Sequence, residues 1–165
     1  MAFGSKELGK QHDLSRFDSG HAGLDDWLRQ HALHASAMNT GRTFVWDGGD
    51  GVVVAYFTLA AHLVAKGSLP KPTGRGSPDL IPAILLARLA LDRALHGQGL
   101  GAELLSDALS RAAAANRHSS ARLVVVDAVD DRASSFYRHF GFEPMPDRDH
   151  RLVQKMSSIE TALGG

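Results

Sequence analysis

A short apolar run followed by a glycine-rich turn and a helical repeat constrains the fold of this chain most strongly. Residues 83–91 have the composition of a buried strand, and the segment His96-Gly97-Gln98-Gly99-Leu100-Gly101 follows it. Leucines and alanines then recur at helical spacing up to Asn116. In a strand–turn–helix unit of this kind, the unpaired N–H groups and positive end of the helix favour a phosphate. The sequence therefore predicts an α/β fold with an anion site at the turn.

The spacing of the glycines separates this turn from two common nucleotide motifs. A dinucleotide fingerprint requires Gly-x-Gly-x-x-Gly directly after the strand, whereas this chain has Gly-x-Gly-x-Gly after Asp92-Arg93. A Walker loop requires Gly-Lys followed by Ser or Thr, and the sequence contains no such tripeptide. Both nucleotide motifs are disfavoured. The glycines alone are also compatible with a tight turn that serves only helix packing.

The first half of the chain predicts a helix, a hairpin and a loop. Apolar residues recur at spacings of three and four from Leu24 to Met38, as on one face of an amphipathic helix. The β-branched runs 43–46 and 52–60 flank a turn rich in glycine and aspartate, which is typical of a hairpin. Prolines and glycines in residues 61–82 predict a long loop.

The second half adds a strand at 123–126, a helix at 131–140 that Gly141 stops, and a closing strand at 152–156. No repeat or linker interrupts the 165 residues. We therefore expect a single domain, residues 1–165, of the mixed α/β class.

Composition excludes several broad classes of protein. The 18 basic and 18 acidic residues give a net charge of zero, so composition does not indicate a nucleic-acid binder. Arg88 interrupts the longest apolar run, which falls short of the roughly 20 residues that a membrane-spanning helix needs. Because the sequence lacks cysteine, disulfides and thiolate metal sites are excluded. The start has no apolar core of a secretory signal, so we expect a cytoplasmic protein without membrane contact.

Two polar pairs in the first helix have simple interpretations. His31 and His34 have the spacing of two metal ligands, but no third ligand is evident, so we expect surface histidines and no metal. Asp25 and Asp26 are interpreted as charges near the helix start that favour its dipole, not as a catalytic pair.

A second motif follows the next predicted strand and reads Asp130-Asp131-Arg132-Ala133-Ser134-Ser135-Phe136-Tyr137-Arg138-His139-Phe140-Gly141-Phe142. Together with the glycine turn, it resembles the cofactor motifs of the GNAT family of N-acetyltransferases. In that family the pyrophosphate turn runs Gln/Arg-x-x-Gly-x-Gly/Ala and a later helix carries Ala-x-x-Phe-Tyr-x-x-x-Gly-Phe. The resemblance implies acetyl-CoA as cofactor and a mixed, mostly antiparallel central sheet flanked by helices. Two departures are His96 at the Gln/Arg position and Asp130 where many members carry Asn.

The resemblance also implies roles for individual residues. Tyr137 protonates the departing thiolate, and its ordinary pKa of about 10 keeps it protonated at neutral pH. The alternative for Tyr137 is a core aromatic whose hydroxyl is satisfied locally. The backbone of Leu89, Ala90 and Leu91 pairs with the pantetheine arm and polarises the thioester carbonyl. Further cofactor contacts are expected from His96, Gly97, Gln98, Gly99, Leu100, Gly101, Ala102, Asp130, Ser134 and Phe136.

The resemblance extends over nearly the whole chain and is strongest to the acetyltransferase toxins of bacterial toxin–antitoxin pairs. Residues 17–29, 42–45, 56–60 and 88–92 carry it, with Ser19 where these toxins often have Cys. Such toxins acetylate the amino group of the amino acid on charged tRNA, which blocks translation, and a ribbon–helix–helix antitoxin usually restrains them. The resemblance therefore implies an aminoacyl-tRNA substrate and such an antitoxin as partner. We also expect a homodimer.

A basic segment, residues 60–77, contains no acidic residue and is the first candidate for gripping tRNA. The residues expected to contact tRNA are Lys66, Lys71 and Arg75, followed by Arg29, Arg88 and Arg93. The alternative for this segment is a solvated loop. Two other functions stay open: an ordinary GNAT enzyme for a small amine or protein N-terminus, and a non-enzymatic acyl-CoA-sensing or RNA-binding module.

Overall fold

The computed structural model describes residues 3–164. Its strands are β1 Lys6–Glu7, β2 Arg42–Asp47, β3 Val53–Ala65, β4 Leu80–Leu91, β5 Leu123–Asp127, β6 Glu143–Pro144 and β7 Arg151–Lys155. Its helices are α1 Ala22–Ala37, α2 Lys71–Gly74, α3 Leu100–Ala115, α4 Asp131–His139 and α5 Met156–Ala162. Single 3-10 turns lie at Lys66–Ser68 and Arg93–Leu95.

The strands form one mixed sheet in the order β1-β2-β3-β4-β5-β7-β6. The pairing of β4 with β5 is parallel, whereas β1–β2, β2–β3, β5–β7 and β6–β7 are antiparallel. This confirms the expected mixed, mostly antiparallel α/β sheet. The chain divides into two compact units: the first contains the chain up to Ala60 and Arg88–Ala108, and the second contains Ala61–Ala87 and the chain from Leu109. The single domain over residues 1–165 stays a prediction.

The first unit is built around α1 and the hairpin of β2 and β3, both of which the sequence predicted. Leu28 and Ala32 of α1 pack in one cluster with Val45 and Tyr56, because the helix presents them on one face. Thr43 pairs with Thr58 across the hairpin, and their hydroxyl oxygens are 2.8 Å apart in the interior. Met38 at the end of the helix is 60% exposed and leaves the buried face.

The second unit contains the buried strand β5. Leu123 to Val126 are fully buried, since side chains on both faces of this strand are covered. A strand enclosed in this way carries a continuous apolar run rather than an alternating one. The predicted helix that follows it is α4, and Gly141 stands shortly after its last residue with a φ of +94°, a conformation that favours glycine.

The loop predicted at residues 61–82 is too long, because strands occupy both of its ends. There, β3 continues to Ala65 and β4 begins at Leu80, so only a 3-10 turn, α2 and short connections separate the strands. Val64 and Ile81 are buried while Leu63 and Leu80 are exposed, which is the alternation of strands with one covered face. Packing of these apolar side chains outweighs the turn tendency of the prolines. The sequence patterns also missed β1, β6 and α5, which are too short to show a period.

Candidate active site

The glycine turn has the backbone geometry of an anion cradle. Gly97 and Gly99 have φ values of +79° and +77°, which L side chains rarely adopt. A Cβ added at either position would meet nothing within 4 Å, so these two glycines serve the backbone path and not helix packing. Because α3 begins at Leu100, the N–H groups of its first turn lack intrahelical partners and can receive a phosphate.

Two side chains of the turn bond to the chain's own backbone. The Nε2 atom of His96 lies 2.8 Å from the carbonyl oxygen of Leu91, so the ring donates this hydrogen bond. Gln98 Nε2 donates to the carbonyl oxygen of Ala94 at 3.5 Å. The His96 bond ties the turn to the end of β4. Contacts of His96 and Gln98 with the cofactor stay a prediction.

The end of β4 continues past its parallel neighbour. The register with β5 covers Ala83 to Leu86 only, so Leu89, Ala90 and Leu91 lie beyond it. Ala90 is buried, and its two neighbours are half-buried. The backbone groups of this segment that point away from β3 are therefore not engaged in a ladder with β5, as pairing with a pantetheine arm requires.

Tyr137 is held in α4 by two aromatic neighbours. Its side chain is 3% exposed, and its ring meets those of Phe136 and Phe142 edge-on, with centroids 5.4 and 5.8 Å away. Burial raises the pKa of Tyr137 above its ordinary range, and the charge of Asp127 raises it further, so the hydroxyl keeps its proton at neutral pH. Within residues 3–164 no group hydrogen-bonds this hydroxyl. A locally satisfied core tyrosine is therefore not what the structure shows.

The side chain of Asp130 caps the start of α4. Asp130 Oδ1 accepts a hydrogen bond from the backbone N–H of Ala133 at 2.8 Å, which makes it the N-cap. Asp and Asn cap helices about equally well, so the departure from Asn keeps this function. Ser134 is half-buried at a shallow pocket that is also lined by Asp131, Arg138, His150 and Arg151. Phe136 stands between Tyr137 and Phe140, as a packing residue would.

A polar cluster that sequence reasoning missed lies at the end of β5. Arg151 donates to both carboxylate oxygens of Asp127, at 2.7 and 2.9 Å, and its Nη1 lies 3.2 Å from His62 Nε2. Burial lowers the pKa of His62 and the Arg151 charge lowers it further, so the ring is neutral and its Nε2 accepts. Because the Nε2 lone pair already accepts this hydrogen bond, it is not available to take a proton from a substrate. The cross-strand register of Asp127 with Arg151 produces the pair.

Asp25 lies in the first turn of α1, as expected of a helix-start charge, but its side chain is buried and hydrogen-bonded. It is 5% exposed, and its Oδ1 accepts from Ser19 Oγ at 2.6 Å and from the Ser19 N–H at 3.1 Å. Asp25 precedes Leu28 by three residues and Ala32 by seven, so the helical period already placed it on the buried face. Asp26, by contrast, is exposed and lies 3.3 Å from Arg29.

The basic residues predicted to grip tRNA fall in both units. The second unit holds the exposed side chains Lys66, Lys71 and Arg75. In the first unit, Arg93 pairs with Asp18 at 3.2 Å, and Arg29 also donates to the carbonyl oxygen of Phe17. Arg88 lies over the ring of Trp27. Contact with tRNA stays a prediction for all six.

Histidines 31 and 34 are exposed on α1. Within residues 3–164, no group of three or more His, Cys, Asp or Glu side chains could hold a metal ion. No helix in the described part of the chain is long and apolar enough to span a membrane.

Comparison with known proteins gives the family. The acetyltransferase (GNAT) domain matches residues 40–144. A tRNA-acetylating toxin of Mycobacterium tuberculosis is 38% identical over 159 residues, which are 96% of this chain and 95% of that protein. AtaT complexed with acetyl-methionyl-tRNAfMet is 28% identical with a TM-score of 0.88, covering 98% of this chain and 99% of the other. A tyrosine-to-phenylalanine mutant of the AtaT toxin, bound to the C-terminus of the antitoxin AtaR and acetyl-CoA, is 26% identical with a TM-score of 0.86 over all of both chains.

The matched region contains the glycine turn and Tyr137, and the similarity to the solved structures extends over the complete sheet. The chain belongs to the GNAT family of acetyltransferases.

Proposed function

We propose that this protein transfers an acetyl group from acetyl-CoA to the amino group of an aminoacyl-tRNA, and that it acts in this way as a toxin that blocks translation. The observation that carries the choice of acceptor is the 38% identity to a tRNA-acetylating toxin over nearly the full length of both chains. The buried, protonated Tyr137 and the exposed glycine turn support the reaction itself.

Each part of the site has a chemical task in this reaction. When bound, acetyl-CoA supplies the acetyl thioester. The turn at Gly97 to Ala102 would hold the pyrophosphate, and the backbone at Leu89 to Leu91 would align the pantetheine arm and polarise the thioester carbonyl. As the acceptor nitrogen bonds to the carbonyl carbon and the carbon–sulfur bond breaks, Tyr137 would give its proton to the sulfur and would then regain a proton from water.

A side-chain base is not needed for this acceptor. A free α-amino group has a pKa of about 8, and an amine on an aminoacyl ester is less basic than a lysine, so a large fraction is neutral near physiological pH. The nitrogen loses its proton to water after it attacks. His62 Nε2 already accepts from Arg151, which is consistent with a reaction that uses no side-chain base.

The partners follow from the proposed activity. An antitoxin would restrain the enzyme, and the AtaT structure that contains the C-terminus of the antitoxin AtaR supports such a partner. We propose that this antitoxin is of the ribbon–helix–helix type. We also propose a homodimer. We propose that the reaction takes place in the cytoplasm, because charged tRNA is used there.

An acceptor assay tests the proposed function. Radiolabelled acetyl-CoA is offered with a charged tRNA pool, a deacylated pool, polyamines and peptides with free N-termini. We expect label on charged tRNA only, and its release when the aminoacyl ester is hydrolysed. Label on polyamines or peptides but never on charged tRNA would instead support an ordinary acetyltransferase, and cofactor binding without label would support a sensing module.

Salt dependence tests the basic segment. We expect tRNA affinity to fall steeply with salt in the wild type. Changing Lys66, Lys71 and Arg75 together to Ala should flatten that slope by about 0.7 to 0.9 for each phosphate that these side chains neutralise. They are exposed, so the fold should persist. The control removes the exposed cations Lys10 and Arg16. An unchanged slope in the triple variant would contradict the role of this segment.

A further inference from the structure

Arg88 is fixed at the end of an aromatic column in the first unit. Its guanidinium carbon lies 3.9 Å from the centroid of the Trp27 ring. The Trp27 ring is nearly parallel to that of Tyr56, with an angle of 12° and centroids 6.3 Å apart, and Phe17 meets Tyr56 edge-on at 5.6 Å. A cation placed over an indole face is attracted by the ring's negative face. The aromatic column of Trp27, Tyr56 and Phe17 therefore holds the charge of Arg88 in place.

The protein anchors this column at the first turns of α1. Tyr56 is fully buried, and its hydroxyl donates to the carbonyl oxygen of Leu24 at 2.7 Å. Burial raises the pKa of Tyr56, so it remains a neutral donor. The next residue, Asp25, accepts from the N–H and hydroxyl of Ser19. Trp27 follows these two anchored residues, which limits the freedom of the indole and hence of Arg88.

Arg88 also has a defined place on β4. Side chains two residues apart on a strand lie on the same face, so Arg88 shares a face with Ala90. Ala90 packs with Leu28 of α1 and with Tyr56, which identifies the face as the one that carries α1. Arg88 directly precedes the backbone segment Leu89 to Leu91. Arg88 is therefore adjacent in sequence to the backbone that the proposed function assigns to the thioester.

We propose that Arg88, positioned by Trp27, binds the phosphodiester on the 5′ side of the terminal adenosine of the charged tRNA. This inference rests on the proposed function. The amino ester, the ribose and the adenine are neutral except for the amine, so this phosphodiester is the anion nearest to the reacting nitrogen. A guanidinium donates two parallel hydrogen bonds to a phosphate, which fixes both distance and orientation. The contact sets the amine at the thioester.

Minimal acceptors separate this contact from the general grip on tRNA. An aminoacyl-CpA dinucleotide contains the phosphodiester in question, whereas aminoacyl-adenosine contains none. We expect Arg88→Ala to lower kcat/KM about tenfold for charged tRNA and for the dinucleotide, since the variant cannot form this charge-assisted pair. For aminoacyl-adenosine the value should stay unchanged, as should the KM for acetyl-CoA. The salt slope on tRNA should flatten by about 0.7.

Trp27 provides the test of positioning. Trp27→Leu should lower kcat/KM on the dinucleotide about threefold but have no further effect when Arg88 is already Ala, because Trp27 acts through that arginine. Trp27→Phe keeps an aromatic face and should retain most of the rate. Arg42→Ala, which removes an exposed cation from β2, is the control for charge alone. Folding of each variant is checked by its melting temperature and by its activity on aminoacyl-adenosine.

The outcomes are distinct. An equal loss on both minimal acceptors, or a raised KM for acetyl-CoA, would overturn the phosphate contact while leaving the proposed function intact. Additive losses from Arg88→Ala and Trp27→Leu would overturn the positioning by Trp27. A wild-type enzyme that acetylates no aminoacyl substrate at all would overturn the proposed function itself.

Discussion

Tyr137→Phe should lower turnover about 100-fold or more while leaving the affinity for acetyl-CoA nearly unchanged. The variant removes only the proton that the departing sulfur needs, and general acid catalysis is typically worth about 100-fold at least in rate. The ring would still pack against Phe142. Because no described residue bonds the hydroxyl, its removal should change the free energy of unfolding by less than about 0.5 kcal/mol.

Single-turnover kinetics on charged tRNA, calorimetry with acetyl-CoA and thermal unfolding together check this prediction. Tyr56→Phe is the matched comparison, because it removes a hydroxyl that donates to Leu24. There we expect the opposite pattern: a stability loss of about 1 kcal/mol and a turnover loss far below about 100-fold. If Tyr137→Phe acetylates at the wild-type rate, Tyr137 is structural and water protonates the sulfur.

The direction of the Tyr137 pKa shift also fixes the alkaline side of the pH profile. Because the folded pKa lies above the ordinary value of about 10, the acid form persists through the range in which the acceptor amine loses its proton. Turnover should therefore rise with pH as the amine becomes neutral and then reach a plateau up to about pH 10. A fall between about pH 8 and about pH 9.5 that disappears in Tyr137→Phe would show that the hydroxyl titrates earlier than its burial implies.

The sequence predicted the parts of the fold in which one period extends over several turns or residues. Leu28 and Ala32 recur on one face of α1, and that face is the buried one. The loop prediction was wrong where turn-forming residues such as proline lie within the ends of strands. Pro82 lies within β4 and is exposed, while its neighbours Ile81 and Ala83 are buried, so burial of alternate residues decided the structure there.

The site was predictable to the extent that short motifs carry it. Glycines with positive φ and a tyrosine in α4 stand where the motifs placed them. Contacts between distant segments left no local signal: Arg88 stacks on Trp27, and Arg151 joins Asp127 to His62. Each of these depends on which strands and helices become neighbours, and a one-dimensional period does not contain that information.

Gly99→Val should weaken acetyl-CoA binding at least about tenfold, which corresponds to about 1.4 kcal/mol. Gly99 stands directly before the start of α3, where the helix N–H groups converge on the proposed pyrophosphate position. In the structure an added Cβ at Gly99 meets open space, and a bound phosphate would fill that space. The φ of +77° makes any L side chain strained there, so stability should fall as well.

Gly49→Val separates the two effects. Gly49 lies in the turn between β2 and β3 with a φ of +94°, and an added Cβ there also meets nothing within 4 Å, so its backbone strain is similar. We expect both variants to lose a similar part of the free energy of unfolding, but only Gly99→Val to lose cofactor affinity by calorimetry. Because the general loss of stability is matched, a difference in affinity assigns the cofactor contact to the turn that contains Gly99. Equal acetyl-CoA affinities in the two folded variants would contradict the assignment of the pyrophosphate to this turn.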